Sequence, residues 1–224
     1  FLASDNNQEP TNLGRNGSDY SASILGSLAD AKSVSIWTDV DGIMTGDPNQ
    51  IDRAKIIEQM SYDEAMELAY FGAKVIHPKT MSPLMTKGIP IYIRNTFNPD
   101  TTGNKIVLES NECKSVKGMT TIDDLSLINL EGAGMIGVPG TAKRLFSCLS
   151  DAGISVVLIT QASSEHSICF AINDKDSARI ESVVRDEFLV DFENGNLQKL
   201  QIQDHCSIVA VVGSGMSGTK GIAA

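Results

Sequence analysis

The sequence predicts an α/β chain in two parts: an open α/β sheet over residues 1–115, then a ferredoxin-like βαββαβ unit, with a second unit just begun. Three observations predict this. One segment recurs at a fixed offset. The residues between its copies run strand, helix, strand, strand, helix, strand. The residues before it alternate helices with short apolar strands.

The repeat comes first. Residues 127–142 align with residues 208–223 at a constant offset of 81. The shift carries Gly132 onto Gly213, Gly134 onto Gly215, Met135 onto Met216, Gly137 onto Gly218 and Gly140 onto Gly221. Chance rarely places so many glycines in register with a methionine. The boundaries that follow are 116–204 for the complete unit and 205–224 for the opening of the next.

Within the complete unit, Leu125 to Leu130 is apolar on alternate positions and reads as a strand. Gly140 to Leu149 has helical periodicity, with Leu145, Phe146 and Leu149 on one face. Ile154 to Thr160 is a continuous β-branched run and predicts a well-buried strand. Ser167 to Ile172 predicts another strand, and Ser177 to Phe188 a helix with Ile180, Val183, Val184 and Phe188 inward. Leu197 to Ile202 alternates again. Two helices on one face of an antiparallel sheet follow.

The first part has a different pattern. Ser18 and Asp19 predict the N-cap of a helix from Tyr20 to Ala31, and Val34 to Trp37 a buried strand with Trp37 in the core. Ser61-Tyr62-Asp63-Glu64 is a capping box opening an amphipathic helix to Phe71. Thr80 to Lys87 reads as a short helix, Ile89 to Ile93 as a strand, and Thr96 to Asn104 as a linker.

Composition narrows the function. The chain has 224 residues, 42% hydrophobic and 21% charged, with a net charge of −10. That is a globular composition, and its length leaves one or two domains open. No Lys/Arg run exists, which argues against a nucleic-acid or anionic-membrane surface. No apolar stretch approaches the ~18 residues of a membrane span, and no signal peptide is present. Four cysteines form no CxxC pair, and three of them (Cys148, Cys169, Cys206) predict buried, reduced thiols, with Cys113 the fourth. A cytosolic or plastid stromal protein fits. A start at Phe1 and a stop inside an unfinished repeat read as a fragment.

Gly132-x-Gly134-x-x-Gly137 matches a dinucleotide fingerprint, but that reading needs an acid at the end of the next strand. The strand ends Leu158-Ile159-Thr160-Gln161, so NAD is disfavoured. The glycines instead suit a turn offering backbone N–H groups to a small carboxylate. Gly213 to Lys220 misses the P-loop pattern because Thr219-Lys220 replaces Lys-Ser/Thr.

The segment Leu13 to Ser21 places Arg15 between glycines, ahead of Ser18 and Asp19 at a helix start. This set suits a zwitterion: Arg15 forks onto an α-carboxylate and Asp19 accepts from an α-ammonium. Two further segments follow, Ile36-Trp-Thr-Asp-Val-Asp-Gly-Ile-Met-Thr-Gly-Asp-Pro48 and Tyr70-Phe-Gly-Ala-Lys-Val-Ile-His-Pro78. His77, before Pro78, reads as structural.

The order and spacing of these three segments resemble aspartate kinase, of the amino acid kinase (carbamate kinase-like) superfamily. The resemblance covers the whole chain. Val116 to Asp123 and Gln161 to Cys169 look most like the form fused to homoserine dehydrogenase and regulated by threonine, so the repeats resemble ACT domains. Residues 1–115 would then be the C-terminal part of the catalytic domain.

The resemblance implies that Phe1, Arg15, Ser18 and Asp19 bind L-aspartate, and that Thr38, Asp39, Lys74 and Val75 bind ATP, used with Mg²⁺. The family has a tyrosine where this chain has Met44 and an arginine where it has Asn49, so a stacking surface and a phosphate-facing cation are missing there. The family's Lys-Phe-Gly-Gly segment is also absent. Gln161, with Gly137 and Gly140, falls where the family takes an amino-acid effector, here L-threonine. Homo-oligomers through the ACT domains are implied, with no metal site built by the protein. The rival reading is an amino-acid-binding regulatory module without catalysis. A glutamate kinase is disfavoured because it lacks the tandem sensing unit.

Overall fold

The computed structural model describes residues 2–14, 16–73, 75–110, 115–161, 166–216 and 219–222. Two compact units emerge: residues 1–121 with 209–224, and residues 122–208. Each has its own core.

In the first unit, β1 (Leu2–Ser4) and β2 (Pro10–Asn12) form a small antiparallel pair. Then come α1 (Gly17–Leu28), β3 (Val34–Thr38), β4 (Gln59–Ser61), α2 (Tyr62–Tyr70), α3 (Pro78–Met85), β5 (Ile91–Asn95) and β6 (Asn104–Val107). The sheet order is β3-β5-β6-β4, with β3/β5 and β4/β6 parallel and β5/β6 antiparallel. Val34, Ile36, Ile91, Ile93 and Ile106 alternate onto the buried face, and α3 packs against both α1 and α2.

The capping box forms as the sequence dictates. Ser61 Oγ accepts from Glu64 N at 3.2 Å, and Glu64 Oε2 accepts from Ser61 N at 2.9 Å. His77 is structural too: it caps α3, its Nδ1 accepting from Lys79 N at 3.1 Å.

Three expectations for this unit need correction. The cap of α1 is Asn16, at φ 59°, rather than Ser18 or Asp19. The Tyr20 N–H closes on the Asn16 carbonyl, which draws Ser18 and Asp19 into the first turn. Trp37 is 51% exposed, because it lies on the face of β3 turned away from the core. There the Arg94 guanidinium sits over its ring at 5.9 Å and over Tyr92 at 5.5 Å, a cation–π stack. Finally, residues 96–103 do not leave the sheet: they return the chain to it as β6, antiparallel to β5.

In the second unit, β7 (Gly118–Glu131), α4 (Thr141–Asp151), β8 (Val156–Thr160), β9 (Ser167–Asn173), α5 (Ser177–Glu187) and β10 (Lys199–Val212) follow in βαββαβ order. A short α6 (Leu189–Glu193), not foreseen, follows α5. The sheet order β10-β7-β9-β8 is the ferredoxin-like one. Leu145, Leu149, Ile180, Val184 and Phe188 bury the helix faces, while Phe146 and Val183 are half-buried. Both β7 and β10 run for 14 residues, and the unit boundaries at 121/122 and 208/209 fall within them. The strands expected at residues 197–202 and at the second copy are therefore one continuous strand.

β8 is also a correction. Ile154, ahead of it, is buried, but Ile159 is 53% exposed and Leu158 is exposed as well. The apolar run signals burial only when neighbours flank both sides, and β8 is an edge strand. The thiols of Cys148, Cys169 and Cys206 are free but only half-buried. Burial nevertheless pushes the Cys148 and Cys169 pKa values up. Cys113 lies outside the described residues.

The glycine turn opens with a close backbone approach. A Cβ on Gly132 would lie 2.7 Å from Leu197 Cα, and one on Gly213 would lie 2.9 Å from Val116 Cα. The two packed positions, 197 and 116, are themselves 81 apart, so the repeat extends to the strands on which the turns rest. We expect Gly132→Ala to destabilise the second unit by about 3 kcal/mol, since backbone cannot yield as a side-chain tip can. Gly153→Ala, at φ 69° in open space, should cost only about 1 kcal/mol. Urea unfolding of both variants checks the contrast, and equal losses would contradict it.

Candidate functional site

Two sites take shape. The first lies where parallel strands β3 and β5 end together, with Thr38 opposite Asn95. The carboxyl ends of such strands are where open α/β sheets hold ligands. Thr38 Oγ1 donates to Asp39 Oδ1 at 3.1 Å, leaving the exposed Asp39 carboxylate further acceptor capacity. Asp41 Oδ1 accepts from Asn95 Nδ2 at 2.8 Å and from Asn98 Nδ2 at 3.3 Å, pinning the start of the following loop.

Asn104 holds the rest of that loop. Its Oδ1 accepts from Ile43 N at 2.5 Å, and its Nδ2 donates to the carbonyls of Ile43 at 2.9 Å and Ile57 at 2.6 Å. Gly42, at φ 134°, leaves room for this amide. Met44 bridges to Ile56 and is half-buried, while exposed Asn49 turns back to Asp47 Oδ1 through its backbone (2.8 Å) and amide (3.0 Å). Neither presents an aromatic ring or a cation. Sequence reading missed Asn104 because its partners lie about 50–60 residues away, and the only local signal was a polar residue in a run of turn formers.

Ser18 and Asp19 sit in the first turn of α1, with Ser18 Oγ donating to Asp19 Oδ1 at 3.1 Å. Val75 is half-buried against the first core, just after the segment that ends α2. Phe1, Arg15 and Lys74 lie outside the described residues. Among the described residues, no cluster of three or more His, Cys, Asp or Glu could hold a metal ion. No helix among them is long and apolar enough to cross a membrane.

The second site is a pocket of about 440 Å³ lined by Gly137, Val138, Gly140, Thr141, Gln161 and Ile168, among others. It brings Gly137, Gly140 and Gln161 together. Gly140, at φ 97°, starts α4 without any side-chain cap. The first-turn N–H groups of α4 are thus available to an anion, reinforced by the helix dipole. Gln161, exposed at the end of β8, adds an amide able to donate and accept.

Residues 1–95 match the amino acid kinase family, and residues 128–188 match an ACT domain. Over 99% of its length the chain is 45% identical to the chloroplastic bifunctional aspartokinase/homoserine dehydrogenase 2 of Arabidopsis thaliana, covering 25% of that protein. The crystal structure of Clostridium acetobutylicum aspartate kinase superimposes on all of the chain, with a TM-score of 0.85 and 29% identity. The chain belongs to the aspartate kinase family. It spans about half the length of the Clostridium aspartate kinase chain and a quarter of the Arabidopsis bifunctional enzyme. E. coli aspartokinase III, an aspartate kinase solved in complex with aspartate and ADP, also matches the whole chain, at a TM-score of 0.79 and 29% identity. The chain covers 49% of it.

Asn104 is the residue of this aspartate kinase segment whose loss should disturb the strand-end loop most. Asn104→Ala strands the Ile43 N–H and the Ile57 carbonyl, each costing about 1–3 kcal/mol less whatever water recovers, while the Ile43 carbonyl keeps the Ile57 N–H at 3.0 Å. We expect a net loss on the order of 3 kcal/mol in urea unfolding, with faster amide exchange at Ile43. A change below 1 kcal/mol would show that the loop does not depend on this amide.

Proposed function

We propose that the chain is part of an enzyme that transfers the γ-phosphoryl of ATP to the β-carboxylate of L-aspartate, giving 4-phospho-L-aspartate, under feedback from L-threonine. Residues 1–115 are the C-terminal part of its catalytic domain, 116–204 an ACT domain and 205–224 the opening of a second. The observation that carries this is whole-length similarity to aspartate kinases, with the expected nucleotide residues Thr38 and Asp39 at a parallel strand end. The E. coli neighbour's complex with aspartate and ADP supports both substrates.

Phosphoryl transfer asks the protein for positioning and charge neutralisation rather than covalent chemistry. Arg15 forks onto the aspartate α-carboxylate, and Phe1, Ser18 and Asp19 complete its site, Asp19 accepting from the α-ammonium. Thr38, Asp39 and Val75 receive the nucleotide, which enters as its Mg²⁺ complex, and Lys74 faces its phosphates. Met44 and Asn49 contribute little, since neither can stack or neutralise. The protein works in the cytosol or plastid stroma, in keeping with the chloroplastic Arabidopsis relative, and assembles as a homo-oligomer through its ACT units.

The full-length enzyme should form ADP only when aspartate is present. Arg15→Lys keeps the charge but loses the two-pronged geometry, removing about 1.5–3 kcal/mol, so kcat/KM for aspartate should fall roughly 10- to 150-fold. The KM for ATP should hardly change. An equal loss in ATP affinity would move Arg15 to the nucleotide site.

A regulatory reading is favoured separately by the Gly137–Gln161 pocket, where the N-terminus of α4 takes the threonine carboxylate and Gln161 its polar groups. Titration calorimetry of the full-length enzyme should show L-threonine binding, with Gln161→Ala weakening it about tenfold through loss of a ~1.4 kcal/mol hydrogen bond. L-valine, which has the shape but no hydroxyl, should bind poorly. An unchanged threonine affinity in Gln161→Ala removes that residue from the site.

A further inference from the structure

The two glycine turns are closed by different chemistry. In the first, the Ala133 N–H donates to Gln198 Oε1 at 2.9 Å, an acceptor from the adjoining strand of the same ferredoxin-like unit. Shifted by 81, Ala133 becomes Ser214 and Gln198 becomes Lys117. Lysine has no acceptor. The Ser214 N–H therefore donates to Glu64 Oε1, at 2.9 Å, and Lys117 Nζ pairs with Glu64 Oε2, also at 2.9 Å. The first turn is closed from within its repeat, and the second by a carboxylate from α2.

That carboxylate belongs to the start of a helix whose far end leads into residues 71–73. Strand β7, which begins just after Lys117, also clamps this far end. Thr120 Oγ1 donates to the Phe71 carbonyl at 2.9 Å. Gly72, at φ 131°, is pressed so close to the Thr121 carbonyl that no side chain fits. Between the two clamps, a Cβ on Gly118 would lie 3.1 Å from Leu68 of α2. Helix α2 is thus held at both ends by residues 117–121, and at its start also by the second turn. A shift of the Ser214 N–H reaches α2 through one carboxylate whose other oxygen is committed to Lys117 and Ser61 N.

We propose that Glu64 is the positioning residue through which the second glycine turn sets the placement of residues 71–73. The coupling rests on the reading above only in taking the segment they lead into as part of the nucleotide site. Glu64 touches no substrate. It ties a turn built like the first, pocket-forming one to the helix that ends at the catalytic segment. The corresponding N–H of the first turn goes to Gln198 of its own unit.

The decisive variant transplants the first turn's chemistry: Lys117→Gln with Glu64→Ala, so that a glutamine amide can close Ser214 as Gln198 closes Ala133. In the full-length enzyme, activity at saturating L-threonine is divided by each variant's own uninhibited rate, and threonine affinity is measured by calorimetry. We expect the double variant to bind threonine within twofold of wild type while its inhibition weakens at least fivefold. Unaltered inhibition in the folded double variant overturns the proposal, as does loss of inhibition explained wholly by lost affinity.

A second measurement needs neither catalysis nor threonine. Gly213→Ala displaces the second turn, and amide exchange at Phe71–Ala73 reports the response. Exchange there should rise at least threefold in the wild-type background and change little in the double-variant background. Equal responses in both overturn the coupling. Absence of aspartate-dependent ADP formation in the wild-type enzyme would instead remove the kinase reading and leave this result standing.

Discussion

The first unit depends on a single buried carboxylate. Glu64 is 4% exposed, and its two oxygens serve the Ser61 N–H, the Ser214 N–H and the Lys117 ammonium. Burial alone would raise its pKa, but these donors outweigh burial and hold it down at about 2. The stabilisation is therefore complete above the ordinary glutamate range near 4.5 and is lost as pH falls toward 2. By linkage it is on the order of 3 kcal/mol. A buried ion pair is not intrinsically worth more than good apolar packing, whereas removing one partner is costly because the other is stranded. Lys117, fully buried and also bonded to the Gln59 carbonyl (3.2 Å) and Ser110 Oγ (2.7 Å), is such a partner. The pair gives this unit a specified arrangement: α2, β4 and the opening of β7 can meet in only one register if both charges are to be satisfied.

A comparable economy governs the strand-end loop. Residues 39–57 contain no helix or strand of their own, yet one amide, Asn104, and one carboxylate, Asp41, tie the loop to β5 and β6. Both anchors sit on or reach toward the sheet, so the loop inherits the rigidity of packed strands. The exposed Asp39 carboxylate is thereby presented from a fixed backbone, which limits the ordering entropy a ligand would have to supply.

What the sequence made legible follows the range of the interaction concerned. The Ser61–Glu64 capping box spans three residues and was readable in full, as were the amphipathic faces of α4 and α5. The repeat was readable because the same spacing of glycines around a methionine recurs. Glu64 was visible only as a capping residue, since Lys117 and Ser214 lie 53 and 150 positions away. The same limit hid Asn104. Ile154 to Thr160 misled for a different reason: β-branched residues declare a strand, but whether it is flanked on one side or two is decided by sheet order. Trp37 misled likewise, because an aromatic in an apolar strand can turn outward when an arginine covers its ring. For the candidate site, Gly137, Gly140 and Gln161 proved to share one pocket, and Thr38 and Asp39 one strand end.

The two turns show how a duplicated element can be given a second role by one substitution. Both use a leading glycine because the backbone beneath leaves no space for a Cβ, and in both the N–H that follows calls for an acceptor, which a side-chain oxygen supplies. Glutamine at position 198 satisfies that demand inside its own repeat. At position 117 a lysine reverses the polarity of the side chain, so the acceptor has to come from elsewhere in the fold, and the lysine then requires a carboxylate for itself. A single glutamate meets both requirements at once. Glu64 is available because the capping box has already fixed it at the start of α2, with one oxygen turned away from its own helix. A local helix-capping habit and a charge change in the repeat thus converge on one residue, and the second turn is tied to α2 through it.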